Sequence, residues 1–212
     1  MKKKFLFCIS IFLIFINFLG CVKKEQNMTS TSKYIETKAD TLNSEIITLD
    51  NILPNKVGTK LIYKGGFENS GEISIVEFIE GNKTQIRTTN SGIAVVKIYE
   101  KRTDGIYIIY SNEVSEEKKN YINEKPNKEE VFVKGPILQK TSWTDSNGNT
   151  YFITDLNSQV KTDAGIFNTI VIASEKNGNI SRKFIAPNVG VVRNSFKTNN
   201  VEFLTEIKEI SK

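Results

Sequence analysis

From Leu53 onward the apolar positions follow a period of two, broken at short intervals by turn residues. The runs TKLIYKGGF (59–67), GEISIVEFIE (71–80), KTQIRTT (83–89), GIAVVKIYEKR (92–102) and GIYIIYSN (105–112) are rich in Ile, Val, Tyr and Thr. Such runs read as strands, because β-branched and aromatic side chains pack well on a pleated surface. Asn69-Ser70-Gly71, Gly81-Asn82 and Asp104-Gly105 separate them. Asp-Gly suits a type I′ hairpin, whose two central residues both need positive φ. Further on, Asn147-Gly148 joins SWTD to NTYFITD, and Asn177-Gly178 joins FNTIVIASEK to NISRKFIA. VGVVRNSF (189–196) and VEFLTEIKEI (201–210) read as a closing pair, the last with Val201, Phe203 and Ile207 opposite Glu202, Glu206 and Lys208. Runs such as IYIIY are apolar on both faces, which requires a curved, closed or doubly covered sheet. The pattern predicts an all-β domain: an antiparallel, strongly curved sheet, a half-barrel or barrel-like meander.

One segment departs from this rhythm. Residues 113–130, EVSEEKKNYINEKPNKEE, form a charged excursion that reads as a short helix with a loop or as a mobile lid. TNSGI (89–93) and TDAGI (162–166) echo each other, which predicts one hairpin geometry used twice. Before the strands, residues 22–51 are mostly Lys, Thr, Ser, Asn and Glu and have little to bury. They read as a flexible tether with an r.m.s. reach of roughly 30 Å. SEIITL (44–49) is a candidate short strand at its end.

The first twenty residues have a different pattern. Lys2, Lys3 and Lys4 precede an apolar run from Phe5 to Leu19. As a helix this run rises only about 22 Å, short of a roughly 30 Å hydrocarbon core, so it reads as a secretory signal. Phe18-Leu19-Gly20-Cys21 then resembles the lipobox of bacterial lipoproteins, with Phe18 where leucine is usual. That resemblance implies cleavage before Cys21 and a diacylglycerol on its thiol, which would place the chain on the outer face of a bacterial cell membrane. The expected organisation is signal 1–20, lipidated tether 21–51 and a single β domain over 52–212.

Charge and composition mainly exclude. The formal charge of +5 falls to +2 once the three lysines of the signal are removed, and the rest alternate with acids. This is no footprint for nucleic acid. Abundant Lys, Asn and Ile hint at an AT-rich, low-GC Gram-positive source. The chain has no histidine, and its two cysteines are Cys8 in the signal and Cys21 at the proposed anchor. Ser-His-Asp and Cys-His catalysis, and His- or thiolate-ligated metals, are therefore excluded. No cofactor and no metal site is expected.

The remaining motifs are weak. Ser30–Lys33 and Ser115–Lys118 fit S-x-x-K without the other elements of penicillin-binding enzymes. Asp145, Asn147 and Asn149 imitate the start of a Ca²⁺ loop, but Thr150 and Leu156 stand where that loop needs Gly and Glu. A hairpin turn explains them better. Paired carboxylates for glycan hydrolysis have a spacing that exists only in three dimensions, and no Asp or Glu stands out. Trp143, the only tryptophan, suits a buried strand position or a binding platform.

GPILQKTSW (135–143), VKTDAGIFNTIVI (160–172) and FIAPNVGVVRNSF (184–196) resemble an uncharacterised family of secreted or lipid-anchored Gram-positive proteins. In that family a G-x-x-W segment precedes T-x-A-G-x-F and Y-x-A-P-G-V-G-x-V strands. Lys140 and Asn188 stand where the family has glycine, and Asn tolerates positive φ. Gly165 and Gly190 are expected where strands bend or have no room for a Cβ, and Pro187 where an edge strand ends. The resemblance implies a curved sheet akin to the half-barrels of lipoprotein-carrier domains, and no activity.

These readings together lead to an expected non-enzymatic, lipid-anchored binding or docking domain. Its concave apolar face, partly covered by 113–130, is expected to take a lipid-like ligand or an envelope protein. Trp143, Tyr151, Phe167 and Phe184 are the candidate ligand contacts. The alternatives are a carboxylate-dependent envelope glycan hydrolase and a structural or assembly lipoprotein.

Overall fold

A computed structural model of the chain describes residues 45–115, 117–199 and 201–212. The expected signal, Cys21, most of the expected tether and the first S-x-x-K match lie outside the described residues. Twelve strands form one antiparallel sheet: β1 (Lys60–Gly65), β2 (Glu72–Glu80), β3 (Lys83–Asn90), β4 (Ile93–Arg102), β5 (Gly105–Val114), β6 (Glu130–Lys134), β7 (Ser142–Thr144), β8 (Thr150–Thr162), β9 (Gly165–Lys176), β10 (Asn179–Ala186), β11 (Gly190–Thr198) and β12 (Val201–Ser211). Their order is β6-β5-β4-β3-β2-β1-β12-β11-β10-β9-β8-β7, two meanders joined where β1 pairs with β12. The sheet is barrel-shaped and nearly closed, with β6 and β7 side by side but unladdered. Among the described residues there is no α-helix, and none of them forms a helix long and apolar enough to cross a membrane.

The expected all-β, curved, antiparallel sheet is therefore what forms. Register shifts interrupt the ladders at Ile62/Tyr63, Val76/Phe78, Ile98/Tyr99, Ile106/Tyr107 and Phe184/Ile185. Each such bulge raises the local twist, and together they curl the sheet on itself. One strand, β6, does not follow from the pattern: its apolar core is only VFV, between the excursion and Gly135. SEIITL forms no strand over its described residues 45–49. Asn51 satisfies the backbone there instead, accepting from Thr48 N at 2.8 Å and donating to Ile46 O at 3.0 Å. Ile47 and Ile52 are buried, so packing begins before residue 52.

The turns divide by what each position demands. Asn177 and Gly178 both have positive φ, as a type I′ hairpin requires. Asp104-Gly105 does not form the expected type I′ turn. Gly105 already pairs with Arg102, and a Cβ on it would stand 2.6 Å from the Val133 carbonyl oxygen. That glycine serves the close approach of β6. The two echoing hairpins share loop length but not geometry. Ser91 and Gly92 are both at positive φ, whereas Asp163 and Ala164 are not and only Gly165 is. Pro187 ends β10, which is an inner strand and no edge. It starts a turn closed by Val189 N donating to Ala186 O, with Asn188 at φ 60°. Proline followed by a positive-φ asparagine is the signature of a type II turn. Gly190 also has positive φ, and a Cβ there would come within 3.2 Å of Pro54.

The main core forms where the sheet closes. Ile106 and Ile108 of β5, Phe132 and Val133 of β6, Trp143 of β7, Ile153 of β8, Ile170 and Ile172 of β9 and Ile185 of β10 pack with Ile47 and Ile52. A second cluster gathers Leu61, Tyr63, Val160, Ala186, Val192 and Ile207. A third lies on the outer face: Ile98, Tyr107, Ile109 and Tyr110, with Tyr121 of the excursion stacked on Tyr110 at 5.9 Å. The two-faced apolar character of IYIIY thus has two causes, the closed interior and the covered exterior.

The excursion forms no helix over its described residues, and it does not overlie the concave face as expected. Side chains alternate faces along a strand. Gln85 and Arg87 of β3 reach the excursion, while Ile86, Thr88 and Asn90 line the interior. Gln85 Nε2 donates to Glu77 Oε2 and Lys119 O, both at 2.7 Å, and its Oε1 accepts from Tyr121 N at 2.7 Å. Arg87 Nε donates to Glu77 Oε1 at 2.7 Å, and its other nitrogens donate to Ser115 O and Glu117 O. Gln85, Arg87 and Glu77 are buried. An unpaired buried charge is expensive, so this fully bonded group holds the excursion to the outer face.

Candidate functional site

An eight-stranded barrel is just filled by its own side chains, so twelve nearly closed strands leave interior space. The core at the closure fills part of it. Between β1–β6 and the β10–β11 wall there remains a cavity of about 520 Å³. This is within the usual few-hundred to thousand cubic-ångström range of small-molecule sites. Its walls are mixed, with Leu61, Val76, Ile86, Val95, Ile108, Phe132 and Val191 on the apolar side. The exposed side chains of Ile93 and Asn90 stand at its rim.

Polar groups share those walls: Tyr63, Glu72, Lys97, Tyr99, Glu130, Lys183 and Asn194, with Ser74, Thr88 and Asn90 beside them. Tyr63 donates to Val191 O at 2.8 Å, bracing β1 against β11 across the interior. Burial pushes the hydroxyls of Tyr63 and Tyr99 well above the ordinary tyrosine range, so both stay protonated. Burial also raises the Glu72 carboxyl, with the Lys97 charge acting against it. Lys183 has its ammonium 4.5 Å from the centre of the Phe132 ring, and that ring meets Tyr99 edge-on at 5.1 Å. Burial first, then the charge of Lys97, lowers the Lys183 ammonium to about 8, with Glu130 opposing. Glu130 forms an ion pair with Lys128 at 2.8 Å.

The four aromatic residues named from the sequence stand elsewhere. Trp143 is buried in the main core with its ring stacked on Tyr151 at 5.6 Å. Tyr151 donates to Asp145 Oδ2 at 3.2 Å, and burial raises its hydroxyl. Phe167 and Phe184 pack beside the second core cluster, Phe184 with the Arg193 guanidinium 6.0 Å from its ring. None of the four lines the cavity. The residues that do were missed because each is an ordinary charge or tyrosine on a strand. The available signal was a charge embedded in a run apolar on both faces, as Lys97 is in IAVVKIY; Lys183, preceded by Ser181 and Arg182, carried no such signal.

The Ca²⁺-like segment is a five-residue hairpin loop between Thr144 and Thr150. Asp145 Oδ1 accepts from the backbone N–H of Asn147 and Asn149 at 2.9 and 2.8 Å, and Oδ2 accepts from Asn149 Nδ2 at 2.8 Å. Those bonds, led by the Asn149 side chain, hold the carboxyl below its usual range. Among the described residues no group of three or more Asp, Glu, His or Cys is placed to hold a metal ion.

No protein-family model matches the chain, and no curated protein matches it in sequence. Among solved structures it is similar to a protein from Bacteroides fragilis, inferred to be exported and described as having a YmcC-like fold. Identity is 9%, over 76% of this chain and 99% of that one, with a TM-score of 0.45. It is also similar to an inferred lipoprotein from Parabacteroides distasonis, with 16% identity over 76% of this chain and 98% of that one, and a TM-score of 0.38.

Proposed function

We propose that the chain is a non-enzymatic extracytoplasmic domain that holds a lipid-like ligand in its interior cavity. It is anchored through a lipid on Cys21 at the outer face of a bacterial membrane. The observation that carries the ligand reading is the cavity of about 520 Å³, whose walls combine apolar side chains with convergent polar groups. The anchor reading rests on the basic start, the apolar run and Gly20-Cys21. The resemblance to the Gram-positive family gains support at two positions: Lys140 at φ 72° and Asn188 at φ 60°, where that family has glycine. Native mass spectrometry of the chain extracted gently from its own membranes tests the reading. A stoichiometric mass beyond the acylated chain is expected. The acylated chain alone would reject the ligand reading and favour docking of an envelope protein.

A second reading, a glycan hydrolase using carboxylates, is favoured by one observation. Glu72 and Glu130 line the same cavity, and burial raises Glu72 toward the protonated form that a general acid needs. Release of reducing sugar from envelope glycan, lost in Glu72→Gln, would support it over the binding reading.

A further inference from the structure

We infer that the cavity selects an amphiphile with one acyl-type chain and a single anionic headgroup, and that Lys183 is the group that holds the headgroup. This deepens the proposed ligand reading and rests on it.

The inference follows from the charges that meet in the cavity. Glu130 is paired with Lys128. The Lys97 charge acts on Glu72 against the burial that raises its carboxyl. Lys183 forms no ion pair among the described residues: it meets the face of Phe132 and the repulsion of Lys97, against which Glu130, already paired, acts only through its field. A cation kept at an apolar wall beside a second cation is costly for the fold. An anion placed against both lysines removes that cost, and a cation or neutral headgroup does not.

Size agrees with the charge. At the roughly 30 Å³ that one water-sized group occupies, a cavity of about 520 Å³ holds on the order of seventeen such groups. A saturated chain of about twelve carbons with a carboxylate or phosphate head is within that limit. The apolar wall residues Leu61, Val76, Ile86 and Val95 suit the chain.

Calorimetric titration of the full chain with dodecanoate and with dodecanol tests this. Dodecanoate is expected to bind at least tenfold more tightly than dodecanol. Lys183→Met should abolish that preference, and Lys183→Arg should keep it. In the wild type the preference should fall as pH rises from 7 to 10, and in Lys183→Met it should be flat. Equal binding of acid and alcohol, indifferent to Lys183→Met, would overturn the headgroup inference and leave the cavity reading standing. Binding of neither would overturn both. Thermal melting of each variant separates lost binding from lost folding.

Discussion

Lys97 and Lys183 face one cavity from strands with β3, β2, β1, β12 and β11 between them in the sheet order. Nothing in the ladder brings them together. The curl of the sheet does, and the field of one ammonium then lowers the other.

This arrangement makes Lys183 a liability to the fold below pH 8. Its ammonium is lowered from 10.5 to about 8, so between those values the unfolded chain binds the extra proton and stability rises with pH. Below 8 both states are charged and the cost is fully present. Above 10.5 both are neutral and it is gone. The groups facing Lys183 are Lys97, Glu130 and the Phe132 ring, with Tyr63, Tyr99 and Glu72 elsewhere on the cavity wall. Lys183→Met is therefore expected to stabilise the chain at pH 7 by on the order of 1–3 kcal/mol, discounted for partial exposure. Paired urea unfolding curves of the two proteins should converge by pH 10.5.

The buried Glu77–Arg87 pair predicts a different response. Arg87→Met leaves the Glu77 carboxylate buried beside Gln85 alone, which should cost about 3–5 kcal/mol. Adding Glu77→Leu should recover part of that loss, as a double-mutant cycle of unfolding energies would read. In Gln85→Ala the amide of Tyr121 loses its acceptor, and its hydrogen exchange should accelerate ahead of the β4 amides.

Two glycines at nearly equal φ separate strain from crowding. Gly65 and Gly92 have φ of 84° and 83°. A Cβ on Gly92 meets nothing within 4 Å, but on Gly65 it would lie 2.0 Å from the Leu204 carbonyl oxygen. Gly92→Ala should cost only the left-handed penalty of about 1–2 kcal/mol. Gly65→Ala must also part β1 from β12 at the ladder joining the two meanders, and should lower the melting temperature far more.

At the Asp145 turn, added Ca²⁺ is expected to leave the melting temperature unchanged, since the turn's own donors occupy the carboxylate. A calcium-dependent rise would contradict this. Because the folded carboxyl is held low, its contribution is present above the ordinary aspartate pKa and fades as pH falls through the folded value. Asp145→Ala should remove that acid-side dependence.

Much of the fold was legible in the chain itself. Strands and most hairpins follow from local facts: period-two alternation, and asparagine or glycine where φ must be positive. Asn177-Gly178 is such a case. Asp104-Gly105 shows the limit, because its glycine answers to the Val133 carbonyl of another strand. Lack of histidine, and of any cysteine after Cys21, bounds the chemistry through composition alone.

The face covered by the excursion, and the residues that share the cavity, were decided only by tertiary structure. Alternation says which side chains of one strand share a face, but not which face meets which once bulges curl the sheet. Gln85 and Arg87 are read as polar strand residues until Lys119, Tyr121 and Glu117 come to them. Lys183 is an ordinary lysine until closure sets it against Phe132 and within the field of Lys97. Charge and burial act through space, and that space exists only once the barrel has formed.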